Sequence, residues 1–222
     1  MIIGKFNLRI KYVLNKLQVL DDWMSKIKYY RDQKFRILPG VYKPAEDTTL
    51  LADNLKISVG EKVLELGTGC GLISIIAAKA GAKIIATDVN PKAIECAKKN
   101  AENHGVLEKI DFKEGDLFEP VRGEEFDLII FNPPYLPVSS SESLNIGLAR
   151  AWDGGEDGRK VIDNFLDRVS DYLKEEGRLI FVQSSLSGVQ ETLNILEKKG
   201  FSSSIESEKK LSFEKLCLIK AF

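Results

Sequence analysis

From residue 60 onward, short apolar runs take turns with stretches of helical period, and that alternation leaves few folds open. Strands are expected over 62–66, 83–87, 110–113, 126–131 and 178–182, and helices over 72–79, 92–104, 160–173 and 189–199. A helix over 47–55 precedes them. Strands separated by helices of this length run parallel, with helices covering both sheet faces. The run 126–131 is almost wholly apolar and is expected at the centre of the sheet. Two closing strands, near 201–207 and 213–221, have no helix between them and predict an antiparallel hairpin at the sheet's end. The fold class is therefore α/β, a doubly wound Rossmann-like sheet of seven strands.

The first 40 residues differ from the rest. They hold nine Lys and Arg against three Asp, a net +6, while the whole 222-residue chain carries −1 and the remainder therefore −7. Phe6, Ile10, Val13, Leu14, Leu17 and Leu20 recur at three or four residues among basic side chains, the pattern of an amphipathic basic helix. Such a helix can pack on its own domain, contact a partner or nucleic acid, or lie on a membrane surface. A charged stretch over 26–36 leads to Pro39-Gly40, a turn signal read as the boundary between a basic extension, 1–40, and the main domain, 41–222. Translation could start at Met1 or Met24. Three scattered cysteines and one histidine suit a reducing compartment and allow no zinc site of common spacing. With no apolar stretch approaching membrane-span length and no export signal, the chain reads as cytoplasmic.

Glu65-Leu66-Gly67-Thr68-Gly69-Cys70-Gly71 stands between a strand and a helix, where glycines allow a tight turn and close approach of a ligand. A dinucleotide fingerprint would place glycine at position 72, where this chain has Leu72. Asp88, followed by Val89, lies 21 residues after Gly67 at the end of the second strand, suited to accept two ribose hydroxyls. Asp116, followed by Leu117, comes after the third strand and can reach an adenine amino group. Three carboxylates around one loop suit a ligand bearing positive charge, such as S-adenosylmethionine, better than a pyrophosphate.

Asn132-Pro133-Pro134-Tyr135 follows the central strand, so it faces the crevice where such sheets bind ligands. The Asn132 side-chain oxygen and the Pro133 carbonyl are acceptors, and the prolines restrict the backbone that presents them. Two acceptors converging on an NH2 group hold its nitrogen toward an electrophile, and Tyr135 offers a planar face for a flat amide or base. His104 reads as a helix cap and Cys70 as packing in the loop. Trp152 either lines the acceptor pocket or packs under the following loop.

Together these motifs resemble class I S-adenosylmethionine-dependent methyltransferases acting on planar NH2 nitrogens. That resemblance implies strand order 3-2-1-4-5-7-6 with the last strand antiparallel. Val41-Tyr42-Lys43-Pro44-Ala45-Glu46-Asp47-Thr48 and Ala151-Trp152-Asp153-Gly154-Gly155 with Gly158-Arg159 resemble segments of the archaeal and eukaryotic branch of HemK-type release-factor glutamine methyltransferases. By that resemblance Thr48, Glu65, Gly67, Thr68, Gly69, Gly71, Asp88, Val89, Asp116 and Leu117 would line the cofactor site, with Asn132 between cofactor and target amide and Tyr135 and Trp152 on the substrate side. The product cofactor would be S-adenosyl-L-homocysteine. The acceptor would be the glutamine of a Gly-Gly-Gln loop in a class I translation release factor, and members of the branch pair with a small zinc-binding activator. Alternatives are an exocyclic amine of RNA or DNA, reached through the basic segment, a protein lysine, or a non-catalytic cofactor-binding scaffold.

Overall fold

A computed structural model describes residues 25–138 and 151–222 of the protein. Its elements are β1 (Lys26–Tyr30), β2 (Gln33–Ile37), α1 (Glu46–Asn54), β3 (Lys62–Leu66), α2 (Leu72–Lys79), β4 (Lys83–Asp88), α3 (Pro91–Asn103), β5 (Ile110–Glu114), β6 (Phe126–Phe131), α4 (Lys160–Arg168), β7 (Leu173–Ser184), α5 (Val189–Lys198), β8 (Ser203–Lys210) and β9 (Lys215–Ala221).

The apolar run of β6 lies inside the sheet, paired in parallel with β3 on one side and β7 on the other. The seven-stranded sheet runs β5-β4-β3-β6-β7-β9-β8. Counted within the sheet this is 3-2-1-4-5-7-6, and β9, the seventh strand, is antiparallel to both neighbours, as expected. Alternation along each strand sorts the side chains onto two faces. Val63, Leu128, Ile130 and Ile180 join one core with residues of α1, α2 and α3. Leu64, Ile129, Phe131 and Phe181 join the other with Ile162, Phe165 and Leu196 of α4 and α5.

Two local departures from the sequence expectation have physical causes. The charged stretch over 26–36 is a β-hairpin, β1 against β2, closed through Arg31 in the left-handed region at φ 51°. Tyr30, Phe35 and Ile37 are buried while Lys34 and Arg36 are exposed; in β1 the apolar Ile27 and Tyr29 face outward and Lys28 is half-buried, so no clean period of two shows in the sequence. The hairpin packs on α3: Arg36 N–H donates to Asn100 Oδ1 (2.9 Å), and Phe35 stacks on His104 with ring centroids 4.7 Å apart. Further along, α4 stops at Arg168 and β7 starts at Leu173. Its register against β6 shifts between Phe126 and Leu128, so polar residues 174–177 form a bulge and the strand's start reads as a loop. The helix expected over residues 6–20 and residues 139–150, between the proline turn and Trp152, lie outside the described residues. Among the described residues no helix is long and apolar enough to cross a membrane.

Candidate active site

At the carboxyl end of β3 the chain turns through Gly67, Gly69 and Gly71 into α2. Gly71 has φ +83°, and a Cβ there would sit 2.9 Å from Ala97 Cβ, so glycine is what lets α3 pack against the loop. Glu65, the penultimate residue of β3, is 5 % exposed. Its Oε2 accepts from the Thr68 hydroxyl (2.8 Å) and from the Ser74 hydroxyl of α2. Burial pushes the Glu65 carboxyl up to about 7, the nearby Asp88 charge adds to this, and the two hydroxyls pull it back.

Asp88 ends β4 beside the loop. Gly69 N–H donates to its Oδ2 and Asn90 N–H to its Oδ1, both at 2.9 Å. Burial raises its carboxyl above the usual range. Val89 follows, 46 % exposed. The Gly115 N–H donates to Asp88 O (3.0 Å), which brings the end of β5 and exposed Asp116 alongside. Leu117 sits in the left-handed region at φ 44°, a conformation costing a non-glycine residue about 1–2 kcal/mol.

A second group assembles around Asp47 of α1, only 4 % exposed. Its Oδ2 accepts from Tyr42 OH (2.8 Å), Asn132 Nδ2 (3.1 Å) and Tyr135 OH (3.3 Å). Its Oδ1 accepts from the Thr48 hydroxyl (3.0 Å). Burial, with the Asp47 charge next, holds the Tyr42 and Tyr135 phenols well above their ordinary range, so both remain protonated donors. With Nδ2 committed to Asp47, Asn132 Oδ1 is buried and has no hydrogen-bond partner among the described residues. A cavity of about 420 Å³ lies beside this group, lined by Tyr42, Asp47, Pro133, Tyr135, Leu136, Ala151 and Trp152.

The loop bearing Trp152 is fastened to the chain after the prolines. Leu136 N–H donates to Trp152 O (3.0 Å), and Gly154 N–H to Leu136 O (2.9 Å). A Cβ on Gly158 would come 2.3 Å from Tyr135 O, so the close approach admits only glycine. Next to it, buried Arg159 donates to Ser187 O (2.8 Å), Gly188 O (2.9 Å) and Thr192 Oγ1 (3.1 Å) and pairs with Asp163 (2.7 Å), locking the loop to α5.

The structure thus gathers Glu65, Thr68, Gly69 and Asp88 at the glycine loop, and Pro133, Tyr135 and Trp152 at the cavity, with Thr48 and Asn132 bonded to the Asp47 that lines it. Thr48 meets Asp47 rather than the loop. Asp47, Tyr42 and Ser74 were not assigned roles from sequence. The first two stand inside the quoted segment 41–48, which was their available signal. Buried carboxylates lining a glycine turn suit a ligand carrying an ammonium and a sulfonium group. The unpartnered acceptor on Asn132 suits a target that donates N–H.

The family profile described as Methyltransferase small domain matches residues 32–147. A putative protein N5-glutamine methyltransferase of Methanocaldococcus jannaschii is 47 % identical over 190 residues, covering 85 % of this chain and 95 % of that protein. Human methyltransferase HEMK2 is 34 % identical, covering 81 % and 88 % respectively. Among solved structures, the E. cuniculi Mtq2–Trm112 complex, described as responsible for methylation of the eRF1 translation termination factor, superposes with a TM-score of 0.64 at 28 % identity over 82 % of this chain and 98 % of that one. On this agreement of sequence and fold, the chain belongs to the S-adenosylmethionine-dependent methyltransferases of the small-domain family, in the HemK group of protein-glutamine methyltransferases.

Proposed function

We propose that the protein transfers a methyl group from S-adenosylmethionine to the side-chain nitrogen of a glutamine, that of the Gly-Gly-Gln loop in a class I translation release factor. The observation that carries this reading is the buried Asn132 Oδ1, an acceptor with no partner beside a cavity open to an incoming side chain. A buried unmet acceptor costs about 1–3 kcal/mol, which a substrate N–H would relieve.

In this reading Glu65 and the turn Gly67, Thr68, Gly69 and Gly71 hold the cationic amino-acid end of the cofactor. Asp88 takes the ribose hydroxyls, exchanging its bond to Gly69 for them, with Val89 alongside. Asp116 and Leu117 meet the adenine, and Thr48 borders the site from α1. The cofactor supplies an electrophilic methyl on sulfur. The chain's own work is positional: Asn132 Oδ1 and the Pro133 carbonyl each accept one N–H of the target amide, so the nitrogen lone pair faces that methyl in line. As the N–C bond forms the S–C bond breaks, and the amide proton leaves late to water, so no strong base is needed. Pro134 stiffens the turn, and Tyr135 and Trp152 flank the flat amide.

The matches to protein-glutamine methyltransferases support a protein acceptor, and the Mtq2–Trm112 complex supports a small activator subunit as partner, in our reading a zinc-binding one. A cytoplasmic location belongs to the same proposal and draws on the scattered cysteines of the sequence. A second reading, methylation of an exocyclic amine in RNA or DNA, draws on the net positive charge of residues 1–40, and binding that weakens steeply with salt would favour it. The direct test is incubation with labelled cofactor and a candidate release factor, then mass mapping. A methyl on the Gly-Gly-Gln glutamine is expected, and Asn132→Ala should remove most turnover while cofactor affinity stays within a few-fold. Full turnover by that variant, or label only on nucleic acid, would overturn the reading.

A further inference from the structure

Asp47 is an unusual residue to find beneath an acceptor cavity. It is a carboxylate 4 % exposed, set in the first turn of α1. Burying a carboxylate is costly unless its lone pairs are filled. Here they are filled by side chains from segments far apart in sequence: Tyr42, Asn132 and Tyr135 on Oδ2, Thr48 on Oδ1.

One of those donors can turn around. A side-chain amide presents N–H or C=O by a half rotation about its last bond, and the two orientations have nearly the same shape. Only the N–H orientation is compatible with a carboxylate 3.1 Å away, because the other would set oxygen against charged oxygen. The charge on Asp47 therefore selects one of the two states of Asn132. In the selected state Oδ1 is the atom left without a partner. Three donors already crowd Oδ2, so Asp47 is not placed to take a proton from a substrate.

Resting on the reading above, we infer that Asp47 is a positioning residue for methyl transfer: it holds the Asn132 amide with its oxygen presented to the target nitrogen. It acts on the target amide through Asn132. Without the carboxylate, the amide can present its NH2 group to a target that is itself a donor, and no hydrogen bond forms.

The substitution Asp47→Asn keeps the shape but removes the obligation. It should lower kcat about a hundredfold with cofactor affinity within threefold, the size expected when one oriented acceptor is lost. The reciprocal exchange separates orientation from packing. Asn132→Asp alone opposes two carboxylates and should be nearly inactive. Combined with Asp47→Asn, the donor moves to position 47 and a carboxylate oxygen is again turned outward, so kcat should recover at least tenfold over Asn132→Asp. A purely structural Asp47 predicts no recovery. An independent reading needs no variant of Asp47. The Asn132 side-chain NH2 resonances of the ¹⁵N-labelled protein, identified by their loss in Asn132→Ala, should show slowed exchange with water and a downfield proton bonded to a carboxylate. Fast exchange of both protons, full kcat in a folded Asp47→Asn protein, or no recovery in the exchanged pair would overturn the inference. Full kcat in Asn132→Ala would instead defeat the proposed reaction.

Discussion

Glu65 shows how one buried carboxyl ties binding to pH. Its ordinary value is 4.5 and burial raises it to about 7. The folded chain then binds more protons than the unfolded chain between these values, so the ligand-free protein loses stability as pH rises from 4.5 through about 7. A cation placed against Glu65 favours the ionised form and reverses that preference. Affinity for S-adenosylmethionine should therefore rise about tenfold between pH 6 and pH 8, with proton release, since each unit below the shifted value costs a factor of ten. Calorimetry in two buffers of different ionisation enthalpy measures both, and Glu65→Gln should flatten the dependence. Glu65 was legible because the glycines that explain it lie two to six residues away. Asp47 was not, because the partners that give it meaning, Asn132 and Tyr135, lie 85 and 88 residues downstream and meet it only through the fold.

Among elements, those whose burial is written as nearly continuous apolar sequence were readable to the residue: β6 spans Phe126–Phe131 and α2 spans Leu72–Lys79, both as expected. Those whose backbone is set by tertiary pairing were not. The β1–β2 hairpin hides three buried side chains among five basic ones, and β7 opens with a polar bulge that only the edge of β6 can specify. The glycine turn joining β3 to α2 gives a test at this scale. Gly69 and Gly71 both have positive φ, but a Cβ on Gly69 meets nothing within 4 Å whereas one on Gly71 strikes Ala97. Gly69→Ala should cost only the backbone strain, about 1–2 kcal/mol. Gly71→Ala adds overpacking, for a total of about 2–5 kcal/mol. It should also weaken cofactor binding by pushing α3 from the loop. Denaturant unfolding of the two variants in parallel checks the ordering, and equal losses would remove the claim that α3 rests on this glycine.

Across the whole molecule, the basic N-terminal region and the acidic body are not independent pieces where the structure describes both. Asn100 of α3, 1 % exposed, joins them. Its Nδ2 donates to Arg36 O of β2 (2.8 Å) and to Cys70 O of the glycine turn (2.9 Å), while its Oδ1 accepts from Arg36 N–H (2.9 Å). A single side chain thus satisfies backbone groups of the hairpin and of the cofactor turn, with α3 as the rigid body between them. Asn100→Ala leaves the Arg36 N–H and Cys70 carbonyl without this partner and Arg36 O with only the Cys96 thiol (3.2 Å), a loss of about 2–4 kcal/mol when each lost bond costs about 1–3 and local shifts recover part. For a domain of this size that lowers Tm by roughly 5–15 °C. Because the turn's Cys70 carbonyl is released together with the hairpin, cofactor affinity should fall several-fold as well, and saturating cofactor should restore part of the lost Tm by mass action. Thermal unfolding with and without S-adenosylmethionine measures both effects on one sample. A lowered Tm with unchanged cofactor affinity would mean that the hairpin braces α3 alone and that the glycine turn keeps its shape without it.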